Sequence, residues 1–490
     1  MVMKHEVVKD DAALFEPLIR TGRGFYITVA VLVILIACGA YALVRQWVFG
    51  LGVTGMNRPV FWGVYIINFV FFIGLSHAGT LVSAILRIVK AEWRRPFTRA
   101  AEAVTVFSLP FGAISIILDM GRPDRLLNLI FHGRFQSAIL WDVTCVPLYL
   151  LSSVFYFYLA LIPDIAMCRD RLDVGPLRAR LYKFLALGWT GTEHQYRRLD
   201  RLMNIMAVWL TMLVVIVHTV VAWIFGMTIV PGWHSAIIGP YFLCGAIFSG
   251  VGAVIITTVI LRRVYHLEDY IKPVHINAMS LFLLSLSLVW FYFTFAEYFT
   301  TFYGNEPAHM VVFNAKFWQE FSPLFWLMVV FCFVIPVVIL SNPKTRTIAG
   351  AVVVSVFVNV GMWLERYIVI IPSMARPRMG GIGSYAPTWT EWAITIACFA
   401  FFILLYVLFT KLFPVIAVWE VHEARHQSIP EAMERMRSYM RNIGHYPLDV
   451  VVRQRRSNVI RGTQVARAPE AMERVRSYMP GAMASPLPKE

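Results

Sequence analysis

Few side chains in this 490-residue chain can exchange protons and also sit inside or at the mouth of an apolar run. They are His77 in GLSHAGT, Asp119 with Arg122, Asp124 and Arg125 close behind it, His132, Asp142 after Trp141, His218, Glu297, and the neighbours Glu365 and Arg366. An ionisable group within a membrane span is costly to bury without a partner, so each is a functional candidate by default. Asp119, Arg122, Asp124, Arg125, His132 and Asp142 fall between two consecutive apolar runs, hence at one membrane face. A histidine with carboxylates and arginines near such a face can bind a polar head group and move protons. The plainer reading of any single member is local: Asp119 caps the turn and Arg122 neutralises it. For Glu297, Glu365 and Arg366 the choice is between an inter-helix ion pair and a second polar path that would include His218. His77 and His218 reach mid-depth on helices of opposite direction, so a haem held by that pair is a further option.

The elements that carry these residues follow from composition. The chain is 58% hydrophobic and 15% charged, where soluble domains are about 25% charged. Ten apolar runs are long enough to cross the membrane, at 25–46, 60–87, 100–118, 138–162, 203–227, 236–261, 276–302, 322–340, 347–371 and 391–415. In lipid the backbone must satisfy its own hydrogen bonds, which makes each run a helix and the protein all-α. Lysine and arginine settle the orientation. Of the 44, 34 lie at the N-terminus, in the even-to-odd loops and in the C-terminal tail, and only 8 lie in the other loops. This places both termini in the cytoplasm. It also accounts for the net charge of +15 without a nucleic-acid partner. Helices 2–5 and 6–9 then form two parallel four-helix bundles, with helices 1 and 10 peripheral. The six cysteines form no C-x-x-C and no C-x-x-C-H, so no metal or haem-attachment motif is expected.

Three domains follow: a cytoplasmic segment 1–24 without signal-peptide features, a membrane domain 25–415, and a basic tail 416–490. Within 163–202 an amphipathic helix at the cytoplasmic surface is expected. In the tail, PEAMERMRSYM at 430–440 recurs as PEAMERVRSYM at 469–479. That repeat is either a duplication without separate function or a docking element for a partner or anionic lipid.

FIGLSHAGT at 72–80, LDMGRP at 118–123 and SAILWD at 137–142 together resemble the NrfD/PsrC-like membrane subunits of polysulfide-reductase-type complexes. The likeness is greatest to the ActC type found in bacterial alternative complex III. The resemblance covers helices 1–10. It implies quinol or quinone, by analogy menaquinol, bound in the first bundle near the extracytoplasmic face. It implies no metal or haem on this chain, and an iron–sulfur cluster in a partner subunit docked on that face. It further implies other membrane subunits, including a second one of the same family, in the bacterial inner membrane.

On this reading His77 and Asp119 contact one head group, and Arg122 keeps Asp119 ionised. Asp124, His132 and Asp142 relay protons or support the site, and Trp141 lines the slot. His218, Glu297, Glu365 and Arg366 belong to a proton path. The rivals are a secondary transporter and a non-catalytic membrane anchor.

Overall fold

The computed structural model describes residues 12–19, 21–91, 94–379 and 381–420, and helix is the regular structure they form, with no strand among them. Ten helices are long and apolar enough to cross a membrane. They are α1 (Arg23–Val53), α2 (Val64–Ile88), α3 (Arg95–Asp119), α4 (Ala138–Arg171), α5 (Glu193–Gly226), α6 (Ile238–Val264), α7 (Pro273–Gly304), α8 (Ser322–Ser341), α9 (Ile348–Ala375) and α10 (Trp389–Leu412). The chain is a multi-pass membrane protein with the expected number and order of spans. Several helices outrun their apolar cores. α3 starts at Arg95 rather than 100, α4 continues to Arg171 rather than 162, and α5 begins at Glu193 rather than 203. Charged residues lower the hydropathy there without ending the helix. Thr192 caps α5 by accepting from the Gln195 amide, and Asn305 closes α7 in the left-handed region at φ 47.

α2, α3, α4 and α5 close one ring of contacts, and α6, α7, α8 and α9 close a second. α2 against α6 forms the seam. Small residues let the helices approach there: a Cβ added to Gly74 would come 3.3 Å from Ala246 Cα. α1 and α10 pair with each other at the edge, where a Cβ on Gly39 would meet the Ala393 carbonyl at 2.9 Å. Burial separates centre from edge. The most apolar window of α2 is 88% buried, and that of α1 only 17%.

The domain limits shift slightly. Helix Ala12–Ile19 is part of the packed body, with Leu14, Phe15 and Leu18 buried and Lys411 Nζ donating to Pro17 O at 2.8 Å. The expected surface helix appears as Pro176–Leu185. It is tied to the end of α10 by Arg178 to Lys411 O (2.8 Å) and by Tyr182 Oη to Leu412 O (2.7 Å). At the other limit, residues past 415 still pack inside: Ile416 and Val418 are buried, and Glu420 meets Arg87 and Arg94, each at 3.2 Å. Both copies of the repeat lie outside the described residues.

Candidate functional site

His77 sits at mid-depth on α2, and its surroundings follow from its neighbours in sequence. Gly79 lets α3 come close, and Thr105 of α3 donates its hydroxyl to the Ser76 carbonyl. His77 Nδ1 lies 2.6 Å from the Ile73 carbonyl. A carbonyl only accepts, so Nδ1 carries the hydrogen and Nε2 of the neutral ring is left with its lone pair. That Nε2 is buried and has no hydrogen bond of normal geometry. One turn on, the Thr80 and Tyr149 hydroxyls are 2.8 Å apart, and Tyr149 Oη also donates to Ser76 O at 3.2 Å. A π-helical turn, Leu81–Ile85, follows directly. Such turns often mark functional positions.

His218 of α5 meets His77 edge to face, with ring centres 4.5 Å apart; neither of its nitrogens has a hydrogen bond of normal geometry, and the Phe242 backbone lies beside it. Both histidines are 0% exposed. Three imidazole nitrogens are therefore buried at one point without a hydrogen bond of normal geometry, with the Val214 backbone beside His77 and the Phe242 backbone beside His218. The pair does not suit a haem. Imidazoles in edge-to-face contact leave no slab for a macrocycle between opposite axial nitrogens. Among the described residues no cluster of three His, Cys, Asp or Glu is placed to hold a metal ion.

Toward the lysine- and arginine-poor end, Asp142 lies seven residues from Tyr149, on the same face of α4 and about 10 Å along it. It is buried, with Oδ1 unpaired. Trp141 beside it packs on Trp223 of α5 at 6.2 Å and donates its indole N–H to Phe135 O. Phe225, Trp62, Trp233 and Phe242 form an aromatic roof over the histidines; Trp62 and Trp233 stack at 5.7 Å, and Phe242 lies 6.3 Å from His218.

Other expected members lie elsewhere. Asp119 does not share a pocket with His77. Thr105 marks the level of His77 on α3, and Asp119 is fourteen residues further, about 21 Å away. Asp119 instead belongs with Tyr65 and Glu391, next to Gln46, which donates to Leu118 O (2.9 Å) and accepts from Tyr65 (2.6 Å). Arg122 does not neutralise it. The guanidinium bonds Asp124 at 3.1 Å, and both side chains are more than half exposed. That bond holds the Asp124 carboxyl below the usual carboxylate range. His132 is exposed at the end of helix Leu126–His132.

In the second bundle, Glu365 and Arg366 do not point apart as sequence neighbours on a helix would be expected to. They are in contact at 2.7 Å. The guanidinium also stacks over Phe242 at 4.6 Å and lies within electrostatic reach of both histidines. Both Glu365 oxygens lack a hydrogen bond of normal geometry. Further toward the Lys/Arg-poor end, Glu297 accepts from Ser235 and lines a cavity of about 30 Å³ with Tyr241, Tyr298, His309 and Lys316. That is room for one water. Lys316, on helix Pro307–Phe317 outside the spans, is buried, and burial pushes its ammonium down to about 8 against the upward pull of Glu297 and Glu365.

Sequence reasoning did not single out Ser76, Thr80, Thr105 and Tyr149, which are neutral polar residues without an ionisable signal. It also missed Arg99, Glu102 and Asp164. Arg99 bonds Asp164 at 2.8 Å with both fully buried, and Glu102 accepts from Ser83. Their signal was present as charges at helical spacing in RAAEA; Arg99 and Asp164 fall just outside the apolar limits, and Glu102 falls inside the 100–118 run without being singled out.

Comparison with known proteins agrees with this architecture. The family model described as "Polysulphide reductase, NrfD" matches residues 52–378. A putative dimethyl sulfoxide reductase membrane subunit of Halobacterium salinarum is 30% identical over 52% of this chain and 56% of its own length. An Hdr-like menaquinol oxidoreductase integral membrane subunit of Archaeoglobus fulgidus is 26% identical over 81% of this chain and 95% of its own. A menaquinone reductase integral membrane subunit of Nitratidesulfovibrio vulgaris is 22% identical over 80% and 92%. With ten spans, the histidine-bearing second helix and the family match across most of the membrane domain, the chain belongs to the NrfD family of polysulphide-reductase-type membrane subunits.

Proposed function

We propose that this chain is the quinol-binding membrane subunit of an electron-transfer complex and that His77 and His218 mark the head-group site. The observation that carries the reading is the trio of imidazole nitrogens, fully buried without a hydrogen bond of normal geometry, on the same bundle as the buried Asp142 carboxylate, one of whose oxygens is unpaired. Relatives named for menaquinol and menaquinone make a menaquinol the first candidate. The first bundle would take the head group, with one hydroxyl on His77 Nε2 and the other toward Asp142. Asp142 stands about 10 Å along α4 from Tyr149, whose hydroxyl bonds the His77 turn, and one aromatic diol with a hydrogen bond at each end covers a span of that order.

Oxidation releases two protons and two electrons. His77 accepts one proton at Nε2 while Nδ1 stays anchored on Ile73 O. Asp142 accepts the other and passes it toward the Lys/Arg-poor end. The electrons leave to an iron–sulfur cluster in a partner docked at that end. By the distribution of lysine and arginine this end is extracytoplasmic and both termini are cytoplasmic, in a bacterial inner membrane. Other membrane subunits, including a second member of this family as in alternative complex III, complete the assembly. Replacing His77 by Gln should cut quinol oxidation by the purified complex about 10²–10⁴-fold, the usual contribution of a positioned base. Turnover at the wild-type rate in an assembled His77→Gln complex would remove the site.

The contact between bundles favours a second, compatible reading. His77, His218, Arg366, Glu365 and Lys316, all buried, and the half-buried Glu297 form a succession of charged and titratable groups from the first bundle into the second. A proton-translocating path would run along it. In proteoliposomes, Glu365→Gln should then lower the proton-to-electron ratio while quinol oxidation continues; an unchanged ratio would remove Glu365 from any such path. A transporter or a pure anchor would bind no quinol-competitive inhibitor at His77.

A further inference from the structure

From the His77 turn to its basic end, the first bundle carries polar side chains that the head-group site does not use. On α2, Ser76, Thr80, Ser83 and Arg87 recur at spacings of three and four, which puts them on one face. On α3, Thr105, Glu102 and Thr98 do the same in the opposite chain direction, with Arg94 just before the helix. α4 adds Tyr149, Ser153 and Tyr156. The hydroxyls and Glu102 are at most 3% exposed.

The three stripes meet at two levels. Thr80 and Tyr149 bond at 2.8 Å at the level of His77. One turn nearer the basic end, Ser83 donates to Glu102 at 2.5 Å and lies 3.2 Å from the Tyr156 hydroxyl. Ser153 stands between the levels on α4, beside the Tyr149 hydroxyl, with no hydrogen bond of normal geometry. Glu102 Oε2 is in the same state. From Ser76 to Arg87 the row covers about 16 Å. A hydroxyl can take a proton on its oxygen and pass on the one it held. Such a row moves protons and leaves each member unchanged.

All three stripes end on one segment. Past α10, residues 414–420 are buried at the basic end of this bundle. Glu420, 2% exposed, takes Arg87 from the α2 stripe and Arg94 from the α3 stripe, each at 3.2 Å. Arg95 donates to the Glu420 carbonyl at 3.1 Å. On the α4 side, Trp419 donates its indole N–H to Ala160 O and its amide to Asp164, each at 3.1 Å. Ile416 and Val418 add buried apolar bulk. One tie would anchor a chain end; here every stripe is capped, and the caps come with side chains that exclude water.

We propose that residues 414–420 seal the basic end of the first bundle against protons, so that those released by quinol oxidation leave only toward the Lys/Arg-poor end. Without the segment, the hydroxyl row and Glu102 would lead protons back to the opposite face, and oxidation would separate less charge across the membrane. The inference rests on the reading that this chain oxidises quinol in its first bundle.

The test uses the purified complex in proteoliposomes with pH-sensitive dyes on both sides, given a pulse of menaquinol analogue and a soluble electron acceptor. Wild type should release the quinol protons on the Lys/Arg-poor side. Trp419→Ala/Glu420→Ala should turn over at the wild-type rate and release part of them on the basic side. The single variants Trp419→Ala and Glu420→Gln, which each open one side of the seal, should show the same split in smaller measure. Adding Glu102→Gln, which interrupts the row, should return release to the Lys/Arg-poor side. One-sided release from the assembled strap variants would overturn the proposal. So would a two-sided release that Glu102→Gln leaves unchanged, because the leak would then run elsewhere. The side of release is read whichever residue receives the proton. Normal turnover in His77→Gln would therefore remove the head-group site and leave these outcomes to decide the seal.

Discussion

Among the described residues, two arginine–carboxylate pairs have both side chains no more than 2% exposed, one in each bundle, and they are built differently. In the first bundle both Asp164 oxygens are engaged: Arg99 bonds one at 2.8 Å, and the Trp419 amide bonds the other at 3.1 Å, while Arg99 Nε and Nη1 make no hydrogen bond of normal geometry. Arg99 is further fixed on the Ala160 carbonyl at 2.8 Å. In the second bundle Arg366 touches Glu365 at 2.7 Å and reaches the Phe242 carbonyl at 3.5 Å; the Glu365 oxygens make no hydrogen bond of normal geometry, with the Tyr241 hydroxyl beside them, and the guanidinium leans on the Phe242 ring toward the two histidines. A buried charge with its lone pairs committed holds helices and chain ends in register. A buried carboxylate without such bonds, beside imidazoles in the same state, is where the proposed function places its chemistry.

The largest effect that would break this contrast is on turnover. His77→Gln should lower quinol oxidation about 10²–10⁴-fold and lower stability by only about 1 kcal/mol, the one bond from Nδ1 to Ile73 O. A much larger loss of stability would place His77 among the staples. Next is Arg99→Met, which strands Asp164 and should destabilise by about 3–5 kcal/mol, with Arg99→Met/Asp164→Leu recovering much of it. Thermal unfolding of both variants checks this, and a harmless single variant would erase the difference between the pairs.

Smaller is the pH effect of Lys316. Its folded value, about 8, lies below the ordinary 10.5, so the folded state is penalised while the ammonium is charged, and stability should rise as pH climbs from about 8 to 10.5. Lys316→Met should abolish that rise in melting temperature. A rise that persists would assign it to another group. Smallest is Arg122→Ala, which should change neither turnover nor melting temperature, because Arg122 and Asp124 hold only each other at the surface.

Much of the architecture was legible in the sequence because lipid imposes one solution on each apolar run. The spans, their order and the two bundles come from that constraint. His77, His218, Glu365 and Arg366 stood out for the same reason, as ionisable residues where burial is costly. What pairs with what was not legible. The depth of Asp119 relative to His77 depends on the register of α3 against α2, set by the close contact at Gly79 and Thr105. Arg99 and Asp164 lie where hydropathy falls but helix continues, so hydropathy read them as loop. Glu391 looked like the start of a span. It is a tie between loops, accepting from the Gly55 amide at 2.7 Å and from Tyr385 at 2.6 Å.

The central claim is that the head group is held at His77 and His218 and not at Asp119. Titrating a fluorescent quinol-analogue inhibitor into the purified complex tests it most directly, with wild type, His77→Gln and Asp119→Asn side by side. The expected result is binding weakened at least tenfold in His77→Gln, about the 1.4 kcal/mol of one hydrogen bond, and near wild type in Asp119→Asn. Full-strength binding in His77→Gln with loss in Asp119→Asn would contradict it and move the site to the outer end of α3.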